Sequence, residues 1–335
     1  MRVLATWLVA GAVVAVGVAA VADAVRGDRG AASSASSSGA RSERLGGPPP
    51  AIPYRGSASA RLRAEGAEGV LEVTDGRCRQ FRLRLPELVW TSPAGERHAR
   101  CLERVVRAPG GELAAFEEGE DVIAFSDWPG WQARFEGTAP SFRPDGILTF
   151  LRHGELFEWS GRCPEAARLV NFRTEHEVRR CVRPVLSRRL VASELRRLGL
   201  RMTGYYLTAT AWLGVREVAA VVRGRFPEEA VVALFEDGRV RAVFPSYGTR
   251  LGHLEASPAR SFLAATLAYR SVIVVLDRRL RVRQFPRGVR AVRALSWSPD
   301  ERWAAAVTPG GVEIFRTDGA GGPIHLTLHA RVEWR

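Results

Sequence analysis

Near the C-terminus, short apolar runs are separated by turn residues in a regular rhythm. From Ala294 to Gly319 the chain reads ALSWSPDERWAAAVTPGGVEIFRTDG. Ser298-Pro299-Asp300 is turn chemistry, because proline fixes φ and Ser or Asp bonds nearby backbone. Ala304 to Thr308 and Val312 to Phe315 are β-prone runs. Pro309-Gly310-Gly311 separates them, and Thr317-Asp318-Gly319 follows. Ile324 to Leu328 then alternates apolar and polar residues with period two, as a half-buried strand does. The segment predicts a four-stranded antiparallel meander. One such sheet buries little alone, so the pattern calls for repetition.

The repetition is present. Val105 to Ser126 (VVRAPGGELAAFEEGEDVIAFS), Ala139 to Trp159 (APSFRPDGILTFLRHGELFEW) and Leu254 to Asp277 (LEASPARSFLAATLAYRSVIVVLD) follow the same plan. In each, a proline precedes a small apolar run and a second β-rich run follows. The anchoring prolines are Pro109, Pro144, Pro258 and Pro299, with gaps of 35, 114 and 41 residues. The middle gap suits three periods of 38. Val218 to Val222 with Ala230 to Phe235 supplies one missing unit, and another is expected near Cys181 to Leu213. Through FRPDG at Phe142 to Gly146 and SWSPDERWAAAV at Ser296 to Val307, residues 55 to 335 resemble the β-propeller repeats of the TolB and WD-type families. Most units lack the full S-P-D-G turn, and no WD dipeptide closes a unit. The resemblance implies an all-β propeller and a role as an interaction scaffold. A period near 40 over this length implies about seven four-stranded blades. An unrelated β-sandwich is the competing architecture.

The propeller is assigned to residues 54–335. Ahead of it, Val3 to Ala22 contains twenty residues and no charge, enough to span a bilayer core as a helix. Residues 1–25 are therefore expected to form a transmembrane anchor or a signal peptide, the apolar length favouring the anchor. Ala20-Val21-Ala22 would suit cleavage and secretion. Residues 26–53 are rich in Ser, Gly and Pro and read as a disordered linker. The expected location is the cell membrane, single-pass, with an extracytoplasmic C-terminal domain. Four cysteines suit export. Gly76-Arg77-Cys78 and Gly161-Arg162-Cys163 look alike, and the pairing expected is Cys78–Cys101 and Cys163–Cys181. Each first cysteine should follow a third strand, and each second should begin the next blade. Free thiols are the alternative; zinc is disfavoured because no C-x₂-C pair occurs.

A net charge of +13 suggests an anionic partner. All 49 basic residues are arginine, however, and Ala, Gly and Val are abundant, which points to coding bias as part of the excess. Arg179 to Arg201 carries eight arginines. Within it, Ser187 to Leu198 has near-helical apolar spacing and predicts a short insert helix over 187–198, with Ser187 or Ser193 as cap. Its Arg188, Arg189, Arg196 and Arg197 are either solvated or a surface for a partner or lipid. Arg278 to Arg293 alternates arginine with apolar residues, as a strand with one wet face would. Neither stretch interleaves aromatics for base stacking, which disfavours nucleic acid. Trp128 and Trp131, in a WPGW loop placed between units, are candidates for a core wedge or for partner binding.

Catalytic signatures are missing from the sequence. It has no H-E-x-x-H, G-x-S-x-G, Walker or dinucleotide motif, so no catalytic, metal or cofactor residue is assigned. Acidic pairs at Glu117-Glu118, Glu120-Asp121 and Glu228-Glu229 fall at predicted hairpin tips. The expectation is a monomeric, non-enzymatic propeller, tethered by its N-terminal helix, that binds a protein or cell-envelope component. The alternatives are an envelope-glycan enzyme on a propeller scaffold, or binding of anionic polymer or lipid through the Arg-rich segment.

Overall fold

The computed structural model describes residues 44–45, 54–55, 64–75, 79–91, 105–111, 113–126, 132–159, 182–226, 228–245, 251–267, 272–284, 289, 292–320, 322–327 and 330–334. They are organised into six sheets. Two short strands come first, β1 (Arg44–Leu45) and β2 (Tyr54–Arg55). Sheet I follows with β3 (Gly69–Asp75), β4 (Gln80–Leu85) and β5 (Val89–Thr91). Sheet II is β6 (Val106–Arg107), β7 (Leu113–Glu118), β8 (Asp121–Ser126) and β9 (Gln132–Glu136). Sheet III is β10 (Thr138–Phe142), β11 (Leu148–Arg152), β12 (Glu155–Trp159) and β13 (Val182–Leu186). A helix, α1 (Arg188–Arg197), precedes sheet IV. Sheet IV is β14 (Tyr206–Trp212), β15 (Glu217–Arg223), β16 (Ala230–Glu236) and β17 (Arg239–Pro245). Sheet V is β18 (Leu251–Ala256), β19 (Phe262–Leu267), β20 (Val272–Asp277) and β21 (Val282–Gln284). Sheet VI is β22 (Ala294–Trp297), β23 (Trp303–Thr308), β24 (Gly311–Arg316) and β25 (Ile324–Leu326). The C-terminal strand β26 (Ala330–Trp334) returns to pair antiparallel with β3.

Each of sheets II to V is an antiparallel meander in sequence order. The repeating prolines mark one recurring position: Pro109, Pro144, Pro258 and Pro299 all sit in the hairpin between a first and a second strand. A backbone bond closes that hairpin the same way each time. The N–H of Ala108, Arg143, Ser257 and Ser298 donates to the carbonyl of Leu113, Ile147, Phe262 and Trp303 at 2.8 to 3.0 Å. Sheet IV makes the equivalent bond, Leu213 to Glu217, without a proline.

Middle strands of sheets III to VI are apolar on both faces because each of these sheets lies between two others. All but the end residues of β15 (EVAAVVR) are buried. Five apolar clusters join the sheets in succession: II to III, III to IV, IV to V, V to VI, and VI back to I. Sheet I differs. Its β4 (QFRLRL) buries Phe81, Leu83 and Leu85 toward sheet VI, while Gln80, Arg82 and Arg84 on the other face are exposed.

Helix α1 fits the predicted insert. The Ser187 hydroxyl caps it by accepting from Leu190 N–H at 3.3 Å. The helix stops at Gly199, whose φ of +80° is a left-handed conformation that glycine adopts without a Cβ penalty. Val191, Ala192 and Leu195 pack into the cluster between sheets III and IV.

Several expectations differ from what the described residues show. The described residues form six sheets rather than about seven. The 114-residue gap holds two units, not three: the segment near Cys181 to Leu213 is the last strand of sheet III, α1 and the first strand of sheet IV. The extra length lies in the 160–181 connection and in α1, which turn periodicity alone cannot distinguish from a further sheet. Within the 26–53 segment read as a linker, Arg44–Leu45 adds a parallel strand to β25. The two cysteine pairs are also not equivalent in the strand order. Cys78 falls between β3 and β4 and Cys101 ahead of β6, whereas Cys163 and Cys181 bracket one connection inside sheet III. All four cysteines, with the apolar Val3–Ala22 stretch, lie outside the described residues. Among those described, no helix is long and apolar enough to cross a membrane.

Candidate functional site

The six sheets surround one cavity of 1020 Å³. Its wall contains residues of β6, β10, β14, β18, β22 and β26, so every sheet contributes the strand at its inner edge. This is a propeller-like arrangement. Residues from first hairpins (Pro109, Arg260) and from strand starts (Leu251, Ala294) both line the space, so it runs along the inner strands.

The wall is mixed in charge but weighted to arginine. Five of the six sheets each present one: Arg331 from sheet I, Arg107 from II, Arg223 from IV, Arg260 from V and Arg293 from VI. Three glutamates (Glu117, Glu255, Glu333) and His253 face them. The glutamates are already engaged. Glu117 accepts the Ala139 N–H at 2.8 Å, which ties sheet II to sheet III. Glu255 lies 3.0 Å from His253 Nε2. Glu333 lies 3.7 Å from Arg331. Arg260 donates to the Trp212 carbonyl at 2.5 Å and links sheets IV and V; burial pulls its guanidinium below the usual arginine range.

Arg223 and Arg293 differ from these. Among the described residues neither has an acidic partner within ion-pair distance. Arg293 is exposed. The Arg223 Nε is buried and donates to nothing, and so stands ready for an acceptor. Arg223 lies opposite Tyr206, the first residue of β14. Arg293 immediately precedes β22, and Arg331 is the second residue of β26. These three arginines therefore share the end of the cavity where the inner strands begin.

A second polar group buttresses the wall between sheets III and IV. The Trp212 indole N–H donates to Thr149 Oγ1 at 2.9 Å, and Thr149 meets Ser141 Oγ at 2.8 Å. Arg143 stacks over Trp212 at 5.7 Å and bonds Glu158 at 2.8 Å. Arg183 also bonds Glu158. This fixes the position of Trp212 and, through its carbonyl, of Arg260.

The residues singled out from sequence lie elsewhere. Arg188 stacks on Tyr206 at 5.0 Å, Arg196 on Tyr205 at 5.2 Å, and Arg197 bonds Glu194 at 2.9 Å. Arg189 is exposed. None of the four lines the cavity. Trp128 and Trp131 lie outside the described residues. Their loop joins β8 to β9 inside sheet II, not one unit to the next, which corrects the expected placement. The acidic pairs are at hairpin ends as expected, and they brace their own sheets: Glu118 in β7 bonds Arg134 in β9, and Glu229, ahead of β16, accepts the Thr203 N–H at 2.9 Å. Sequence reasoning met only Arg293 of the cavity arginines, as the end of the Arg278–Arg293 stretch; the others come from four further sheets, and only ring-like closure brings them together. Neither the protein-family models nor the curated proteins include a match to this chain.

Proposed function

We propose that this chain is an exported, membrane-tethered β-propeller of six blades that binds a protein partner or cell-envelope component without catalysing a reaction. The observation that supports this most is the cavity lined by the inner strands of all six sheets. A rigid ring with loops at both ends is a form suited to recognition, since loops carry specificity on a fixed scaffold. The apolar Val3–Ala22 stretch supplies the tether in this reading. The pairing of Arg44–Leu45 with β25 would transfer that tether to the outer edge of sheet VI.

The test is crosslinking in intact cells with the full chain, followed by reconstitution with purified proteins. The expected result is one envelope component captured repeatedly that also binds the purified chain. Capture of nothing reproducible, or of species that fail to bind after purification, would overturn the scaffold reading.

A second reading draws on Glu255 and Glu333, two carboxylates that line the cavity from sheets V and I. Glycoside hydrolysis uses such a pair. Each is already engaged by a basic neighbour, His253 or Arg331, which suits binding better than catalysis. Turnover of envelope glycan by the purified chain, abolished by E255Q, would establish the enzyme instead.

A further inference from the structure

The cavity's arginines point to the chemistry of its ligand, an inference that rests on the binding reading above. We propose that the end of the cavity where the inner strands begin is a site for a multiply charged oxyanion carrying carboxylate or phosphate groups, held by Arg223 and Arg293 with Arg331 beside them. Three observations converge on this. The three side chains come from sheets IV, VI and I, so they approach the cavity from different sides. Among the described residues Arg223 and Arg293 have no acidic partner within ion-pair distance, while Arg331 lies 3.7 Å from Glu333, and Glu117 and Glu255 are engaged by the Ala139 N–H and by His253. The Arg223 Nε is buried with no acceptor, a costly arrangement that a bound oxyanion would relieve.

The geometry favours an oxyanion over a neutral ligand. A guanidinium offers a planar fork of donors that matches carboxylate and phosphate oxygens two at a time. Inside a cavity walled by β-structure, the field of Arg223 and Arg293 is less screened than on an open surface. Coding bias accounts for arginine standing in place of lysine across the chain. It does not account for five of six sheets each directing one into the same space.

The experiment is isothermal titration calorimetry on the full chain in detergent, with pyrophosphate and citrate as the two probes. At least one should bind, and more weakly as sodium chloride is added. A preference for pyrophosphate assigns phosphate as the group read, and a preference for citrate assigns carboxylate. R223Q and R293Q should each weaken binding by about tenfold, the loss of one charge-assisted hydrogen bond. R189Q, which removes an exposed charge from α1, should leave it unchanged. Because Arg293 is exposed, R293Q keeps the test decisive if R223Q proves unstable. Failure of both probes to bind, R293Q binding like the wild type, or equal weakening by R189Q would overturn the site. Undiminished partner capture in intact cells by R293Q would then show that the scaffold reading stands without it.

Discussion

Glu158 shows how a charge can be kept in the interior of this protein. Its side chain is 3% exposed, yet it accepts from Arg143 at 2.8 Å and from Arg183. Arg143 reaches Asp145 as well, and that bond holds the Asp145 carboxyl below the usual range and raises the Arg143 guanidinium. Replacing Glu158 with glutamine leaves two cations facing a neutral group. Arg183 is mostly solvated, which limits the damage, so E158Q should cost about 2 kcal/mol, measured as a shift in the urea midpoint. An unchanged midpoint would mean that solvent replaces the carboxylate freely. Glu313 is the opposite case. Burial pushes its carboxyl above the ordinary range, and His325 Nδ1, 2.6 Å away, pulls only partly in the other direction. A raised folded-state value means the protonated form is the one the fold favours. That stabilisation is complete below the ordinary glutamate range and is lost as pH rises through the folded value. Urea unfolding across mildly acidic to neutral pH should show the decline, and E313Q should flatten it. The same slope in E313Q would assign the titration elsewhere.

Among the elements, α1 is the clearest test of local sequence logic. Ser187 satisfies one of the free N–H groups at its start, and Glu155 Oε1 accepts a second from Arg188 N at 2.8 Å. S187A should therefore cost about 1 kcal/mol, read from the thermal midpoint, while the adjacent Glu155 contact keeps the helix formed. No change would show that Glu155 alone is sufficient. The helix was legible in sequence because cap, apolar spacing and Gly199 all fall within one short window. The hairpins after Pro109, Pro144, Pro258 and Pro299 were legible for the same reason, since turn chemistry is local. The all-β class followed from them. Sheet IV's first hairpin was harder to see, because Leu213 and Gly214 make the same backbone bond without a proline. Among the described residues β12 and β13 share one sheet although positions 160–181 lie between them, a length that a spacing argument reads as part of a further repeat. Arg223, Arg260 and Arg331 left no local signature at all: each is an ordinary polar residue of its own hairpin or strand, and its meaning appears only across sheets. Conversely, the arginines of α1 looked like a surface patch, yet two stack on Tyr205 and Tyr206, aromatics that lie beyond the helix in the sequence.

At the scale of the molecule, both ends of the chain secure the seam between sheets VI and I. The C-terminal β26 is the inner strand of sheet I and pairs with β3 from Ala330 opposite Asp75 to Trp334 opposite Leu71. Trp334 also donates its backbone N–H to Ser296 Oγ of sheet VI at 2.7 Å. The indole of Trp303 in sheet VI reaches the Gly66 carbonyl at 3.3 Å, just ahead of sheet I. On the outer edges, β1 adds to sheet VI and β2 to sheet I. The two ends are unequal in their contribution. Val332 and Trp334 are buried in the cluster joining the two sheets, and their transfer from water is worth about 5 kcal/mol together. That is comparable with the whole net stability of many domains. β1 contributes only two residues, at an edge. A chain ending at His329 should therefore lose its cooperative thermal transition, because sheet I is left with a bare inner edge and the seam with no cover. A chain starting at Gly46 should keep the transition, with its midpoint lowered by a few degrees at most, since about 1 kcal/mol shifts a domain of this size only slightly. Near-UV circular dichroism during heating distinguishes the two. A sharp transition in the C-terminal truncation would show that the five remaining inner strands enclose the cavity without β26, and that closure at the VI–I seam is not what holds the ring together.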